Sequence, residues 1–223
     1  MEKYPKINII YEDNHILVVE KPINIPVQED STKDIDLLTI LKKYLKEKYN
    51  KPGNVYLGLV HRLDRPVGGV MVFAKTSKAA SRLSKNITTN DFHKIYYAVV
   101  TGNLKKEDKL VDYLKKDTKT NMSYVTNSKE GKLSILTYNL VAKKGNLNLV
   151  KINLQTGRSH QIRVQFSSRN NPLVGDKKYN IKEKNNTQIA LFAQSITFPH
   201  PITKELLTYT LPLPNRYPFN IFK

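Results

Sequence analysis

Leu57-Gly58-Leu59-Val60-His61-Arg62-Leu63-Asp64-Arg65-Pro66-Val67-Gly68-Gly69-Val70-Met71-Val72-Phe73-Ala74-Lys75 decides how the rest of the chain is read. Two apolar runs rich in Val, Leu and Phe flank a short polar insert. Short apolar runs bounded by Pro and Gly read as buried strands. The insert is then the loop between them, and it concentrates one His, two Arg and a single carboxylate within His61 to Arg65. Pro66, Gly68 and Gly69 turn the backbone back. A polar turn is ordinarily a solvated surface feature; this charge density between two core strands marks a loop held on a rigid scaffold for a purpose.

Working outward, the chain of 223 residues suits one domain, and its 39% of apolar residues suffices for one core. The 37 Lys and Arg against 19 Asp and Glu leave a net charge of +18. Such an excess attracts and steers a polyanion, although Lys-rich surfaces also serve solubility alone. With no cysteine, disulfides, thiolate zinc sites and thiol catalysis are excluded together. No apolar run is long enough to span a membrane, and Met1-Glu2-Lys3-Tyr4-Pro5 does not open a signal peptide. A cytoplasmic protein is expected for want of any other address.

On the N-terminal side, Ile16 to Val19 predicts a strand ending at Lys21-Pro22, and Pro26 keeps the following segment extended. Asp34 to Tyr49 predicts a helix with Leu37, Leu38, Leu41, Tyr44 and Leu45 on one face. Ser31 and Asp34 have capping-box spacing, and Pro52-Gly53 ends it. On the C-terminal side, Thr76-Ser77 caps a short helix carrying Ala80, Leu83 and Ile87, and Lys94 to Val100 reads as a strand ended by Gly102. Residues 103–132 are Lys-rich and weakly patterned, which predicts an exposed excursion. Ser134 to Ala142 and Leu147 to Leu154 form a hairpin around Gly145-Asn146. Further strands fall near Ile189 to Phe198 and Leu206 to Leu211, and Asn185-Asn186 sits in a polar loop. Many strands, few helices and no βαβ rhythm predict an α+β fold: a mixed, largely antiparallel sheet flanked by a few helices and loops.

Several chemistries close early. A glycosidase needs two placed carboxylates, whereas the second polar cluster, Gln155-Thr156-Gly157-Arg158-Ser159-His160-Gln161-Ile162-Arg163, offers cations. No Walker loop or dinucleotide fingerprint is present, the five His show no metal-ligand spacing, and the neighbours Ser159-His160 do not make a triad. What remains is Asp64 with Arg-bearing loops. A carboxylate facing a guanidinium stays ionised, which suits a nucleophile or base rather than a general acid. A structural ion pair would look the same.

His61-Arg62-Leu63-Asp64, then Lys94-Ile95-Tyr96-Tyr97-Ala98 with Gly102, then Thr156-Gly157-Arg158-Ser159-His160-Gln161-Ile162-Arg163 occur in the order seen in the RluA-type RNA pseudouridine synthases. Asn171-Pro172-Leu173-Val174-Gly175-Asp176 with Tyr179, the Phe198-Pro199-His200-Pro201 turn, and Tyr11-Glu12-Asp13-Asn14 before Ile16 to Pro22 resemble that family too. The resemblance runs from about residue 7 to about residue 213. It implies a central RNA-binding cleft and isomerisation of uridine in tRNA or ribosomal RNA to pseudouridine, with no cofactor and no metal.

Carried over by position, Asp64 matches the catalytic aspartate, Tyr96 the tyrosine lying against the target base, and Arg163 the arginine paired with the aspartate. Arg62 matches an arginine that can fill the gap left by the extruded base. His61, Arg65, Arg158, His160 and Gln161 complete the expected RNA-contacting or loop-supporting set. Much of the family has Thr-Ser-Gly where this chain has Val67-Gly68-Gly69, and Pro26-Val27-Gln28 stands where His-Pro is usual; both differences bear on RNA preference more than on reaction. One catalytic domain over 1–223 is expected, with no separate RNA-binding domain because the first strand begins within ten residues of Met1, and a monomer is the default because nothing resembles a coiled coil or a large docking helix. The alternative is a catalytically silent RNA-binding or RNA-folding protein of the same fold. A DNA-binding module would need a recognition helix, and none is visible.

Overall fold

A computed structural model describes residues 4–180 and 186–223. Met1 to Lys3 and Asn185, which the sequence reading touched, lie outside them. In chain order the elements are β1 (Asn8–Glu12), β2 (Ile16–Lys21), α1 (Leu37–Lys48), β3 (Gly58–Leu59), β4 (Gly68–Ala74), α2 (Ser77–Thr88), β5 (His93–Thr101), β6 (Glu107–Asp117), β7 (Met122–Thr126), β8 (Lys132–Lys144), β9 (Leu147–Leu154), α3 (Gln161–Ser167), β10 (Leu191–Pro199) and β11 (Leu206–Thr210). A single 3-10 turn, Phe219–Phe222, follows. The α+β expectation holds. The chain divides into two compact units, one of Met1–His93 with Ser195–Leu211, the other of Lys94–Gln194 with Pro212–Lys223.

In the first unit β2 pairs antiparallel with β1 and with β4, and β4 also carries the short β3. Every residue of β4 is buried. A strand covered on both faces reads as a continuous apolar run rather than an alternating one, which is how Val70 to Ala74 appears in sequence. Ser195 to Pro199 of β10 pair with β11. Helix α1 buries Leu37, Ile40, Leu41 and Leu45, and α2 buries Ala79 and Leu83.

The caps correct one reading and support another. Asp36, not the Ser31–Asp34 pair, caps α1 by accepting the Thr39 N–H at 3.0 Å. Asp34 is turned to Thr32 and Arg65 instead. Thr76 caps α2 as expected, accepting the Ala79 N–H. Outside α1, Glu12 accepts from Tyr44, Lys48, Tyr49 and Lys75 at 2.7 to 2.9 Å. Burial opposes its charge, but these bonds outweigh it and hold the carboxyl near pKa 2.

The second unit is a five-stranded antiparallel sheet in the order β5-β9-β8-β6-β7. Its hairpin β8–β9 turns at Gly145, which has φ +59°, as the sequence predicted. The segment 103–132 is not an irregular excursion: it forms β6 and β7. Leu110 and Leu114 point into the core while Lys109, Val111 and Lys115 face outward, so only every fourth residue of β6 is fully buried and the period-2 signal fades. Helix α3 packs against β6 and β7 with Gln161 to Phe166 all buried.

Candidate active site

The loop from His61 to Val67 is fixed to the first unit at both ends. His61 Nε2 accepts the Val72 N–H at 3.1 Å, which requires that nitrogen to be unprotonated. Asp64 C=O accepts the Val67 N–H at 2.9 Å, closing a turn around Arg65 and Pro66. The Arg65 C=O accepts the Asn24 N–H at 2.9 Å. Leu63 and Val67 are buried, and Arg62 between the two pinned ends is exposed. Gly69 sits at φ +134°, where a side chain would be strained. Val67, in the place where much of the family has a hydroxyl, is 2% exposed.

Lys21 braces this loop from below. Only 1% exposed, it donates to the carbonyls of Pro22 at 2.9 Å, Arg65 at 3.0 Å and Val67 at 2.8 Å. Three carbonyls match the three N–H of an ammonium. Burial nonetheless pushes its pKa down to about 7, partly offset by the Asp64 carboxylate and reinforced by Arg65. The sequence reading used Lys21 only as a strand end; its place before Pro22 was the available signal.

Arg65, expected to touch RNA, spends its guanidinium within the unit. It donates to Asn24 C=O at 3.2 Å and Thr32 Oγ1 at 3.0 Å, and pairs with Asp34.

The second unit carries the other expected residues. Tyr96 is 6% exposed and stands opposite Ile152 on β9. Arg163 on α3 makes a two-pronged ion pair with Asp176, Nε to Oδ2 at 2.8 Å and Nη2 to Oδ1 at 2.7 Å. Asp176 also accepts the N–H groups of Lys178 at 3.0 Å and Tyr179 at 3.2 Å. The Arg163 guanidinium lies 5.1 Å from the centre of the Tyr179 ring. A buried charge pair is tolerable only with such complete bonding. Asp176 and Tyr179 were quoted in the sequence motif but not assigned; they are what holds Arg163.

Just before α3, His160 adopts the left-handed conformation at φ +53°. Its Nδ1 lies 2.7 Å from the Tyr179 hydroxyl, which itself accepts the Ser123 N–H at 2.7 Å. Which of the two donates across this contact is set by the imidazole tautomer. Gln161, expected among RNA contacts, is 3% exposed. It bonds Thr156, the Arg158 N–H, Ile135 C=O and Gln165, which is loop support. Arg158 is exposed, tethered through Nε to Leu133 C=O at 3.1 Å. Among the described residues no cluster of His, Cys, Asp and Glu could hold a metal ion.

The first unit thus holds a pinned Asp-bearing loop, and the second holds a basic turn that leads into the buried Arg163–Asp176 pair. The fold matches two solved human structures, RNA Pseudouridylate Synthase Domain Containing 4 (TM-score 0.77, 20% identity, 93% of this chain and 88% of that one) and Domain Containing 1 (0.76, 22%, 97% and 88%). The model of the RNA pseudouridylate synthase family matches residues 15–168. Ribosomal large subunit pseudouridine synthase C of Buchnera aphidicola subsp. Baizongia pistaciae is 35% identical, over 92% of this chain and 66% of that protein. An uncharacterized RNA pseudouridine synthase of Bacillus subtilis is 30% identical (95% and 70%), and ribosomal large subunit pseudouridine synthase D of Haemophilus influenzae 31% (95% and 68%). The chain thus belongs to the RNA pseudouridylate synthase family, and spans about two thirds of the length of these curated relatives.

Proposed function

We propose that this pseudouridine synthase isomerises a uridine of large-subunit ribosomal RNA, with Asp64 as the reacting carboxylate and Tyr96 and Arg163 serving the same nucleotide. The observation that carries the reading is the loop around Asp64, whose carbonyls are held by Lys21 and Asn24 and whose His61 side chain is held by the Val72 N–H, so that one carboxylate sits on a rigid turn. Positioning to a fraction of an ångström is where much of an enzyme's rate comes from. The names of the relatives point to ribosomal rather than transfer RNA.

The reaction breaks the bond from ribose C1′ to N1, turns the base, and joins C1′ to C5. C5 gives up a proton and N1 gains one, so the change is redox-neutral and we assign it no cofactor or metal. A base inside folded RNA must first be flipped out, which costs a few kcal/mol. Exposed Arg62 has the planar group to stack in the gap, and Arg158 faces solvent as a phosphate contact. His61, Arg65, His160 and Gln161 act by positioning these loops. We assign Arg163 the family's pairing with the aspartate, and its five N–H donors exceed the two that Asp176 takes. The protein acts as a monomer, in the cytoplasm where ribosomal RNA is made.

Asp64→Asn is expected to abolish pseudouridine formation while RNA binding stays within a few fold. Carbodiimide labelling of RNA from cells with and without the gene locates the uridine. Product formation by Asp64→Asn at the parent rate would overturn the assignment.

A further inference from the structure

Lys94 is a largely buried cation whose ammonium tip keeps contact with solvent. It is 9% exposed, and among the described residues no carboxylate or other acceptor lies within bonding distance of its ammonium. Its burial alone lowers its pKa. Side chains two apart on a strand share a face, so Lys94 lies on the side of β5 that carries Tyr96, and both are buried while Ile95 and Tyr97 are less so. An isolated ammonium taken from water is costly to the fold. Such a group persists where an anion arrives to share its site.

The ammonium comes close to the surface at Gly157. A Cβ built on this exposed glycine would lie 3.2 Å from Lys94 Nζ and, its chain neighbours apart, within 4 Å of nothing else. The glycine therefore leaves an open notch with the ammonium at its inner end. The neighbouring residue, Arg158, is exposed at the rim and held through Leu133 C=O. A cation at the floor and a second at the mouth, with no acid present, suit a phosphodiester and disfavour a neutral ligand.

We propose that Lys94 and Gly157 form a phosphate notch that grips the RNA backbone at the nucleotide lying against Tyr96. This rests on the RNA-modifying function proposed above, and it makes Lys94 a substrate-binding residue of the second unit. The notch reads charge and shape, so it anchors the strand without selecting a base.

The test uses the full chain, an unmodified in vitro transcript of large-subunit ribosomal RNA, and two variants, Lys94→Met and Gly157→Ala. Lys94→Met is expected to raise the KM for RNA about tenfold and to flatten the dependence of log affinity on log salt by about 0.7 to 0.9, the loss of one phosphate contact. Its Tm should equal or exceed the parent's, because an uncompensated buried charge has been removed. Gly157→Ala should raise KM in the same direction by crowding the ammonium. An unchanged salt slope, or a Tm for Lys94→Met well below the parent's, overturns the notch, since either would make Lys94 a structural residue. If the parent makes no pseudouridine yet binds RNA with a Lys94-dependent slope, the notch stands and the proposed activity falls.

Discussion

At the scale of single residues, Lys21 has a geometry that only a charged side chain satisfies. A neutral amine has two N–H groups, while three carbonyls at 2.8 to 3.0 Å wait for it. Because burial lowers its pKa to about 7, the unfolded chain keeps a proton that the folded chain gives up between about pH 7 and 10.5. Over that window stability rises with pH, while the loop under Asp64 loses one of its three donors. Lys21→Met removes the donors altogether. It is expected to lower kcat by roughly tenfold to a hundredfold, the scale of a misplaced catalytic group, with KM for RNA little changed. Lys21→Arg should not rescue it, since a guanidinium does not fit three converging carbonyls. Single-turnover rates across pH 6 to 9 check both statements; a Lys21→Met rate equal to the parent's would show that the loop holds without its brace.

At the scale of elements, what was legible depended on whether each strand or helix advertised its period. β2, β4 and the β8–β9 hairpin were readable because continuous apolar runs and a Gly-Asn turn mark them locally. β6 and β7 were not: with Val111 47% and Tyr124 44% exposed and lysines between them, apolar residues face solvent and the alternation is lost. Their pairing with each other and with β8 is a tertiary fact that overrides weak propensity. Helix α3 hid for another reason, being seven residues long with His160 as a left-handed N-cap whose side chain makes no capping bond. The motifs that carry Asp64 and Arg163 were legible because their polar residues concentrate locally, whereas the support from Lys21 and Asp176 comes from residues distant in sequence. The β6–β7 hairpin also bears exposed Lys116 and Lys119, which have no acid partner among the described residues. Replacing both with Ala should weaken RNA binding and flatten the salt slope by about 1.5. A slope equal to the parent's in a filter-binding series would remove the hairpin from the RNA surface.

Across the whole molecule the net charge of +18 acts as a field rather than as a set of contacts. Few of the 37 cationic side chains can touch a given RNA at once; the rest raise its local concentration and speed encounter, an effect that salt screens within about 8 Å at physiological ionic strength. The chemical step is expected to differ, because the proposed Asp64 chemistry depends on a loop that Lys21 braces from within, less open to solvent ions than the surface lysines. Raising KCl from 50 to 200 mM should therefore weaken RNA binding by about tenfold or more, the loss that two phosphate contacts alone would give, while kcat at saturating RNA stays within about twofold. Asp64→Asn should follow the same binding curve, since it removes no cation that a phosphate could bind. Binding isotherms and saturating rates on one RNA transcript separate the two effects. A kcat that falls in parallel with affinity would mean that surface charge shapes the reacting geometry itself, and a salt-independent affinity would mean that the excess of lysine serves solubility instead of RNA.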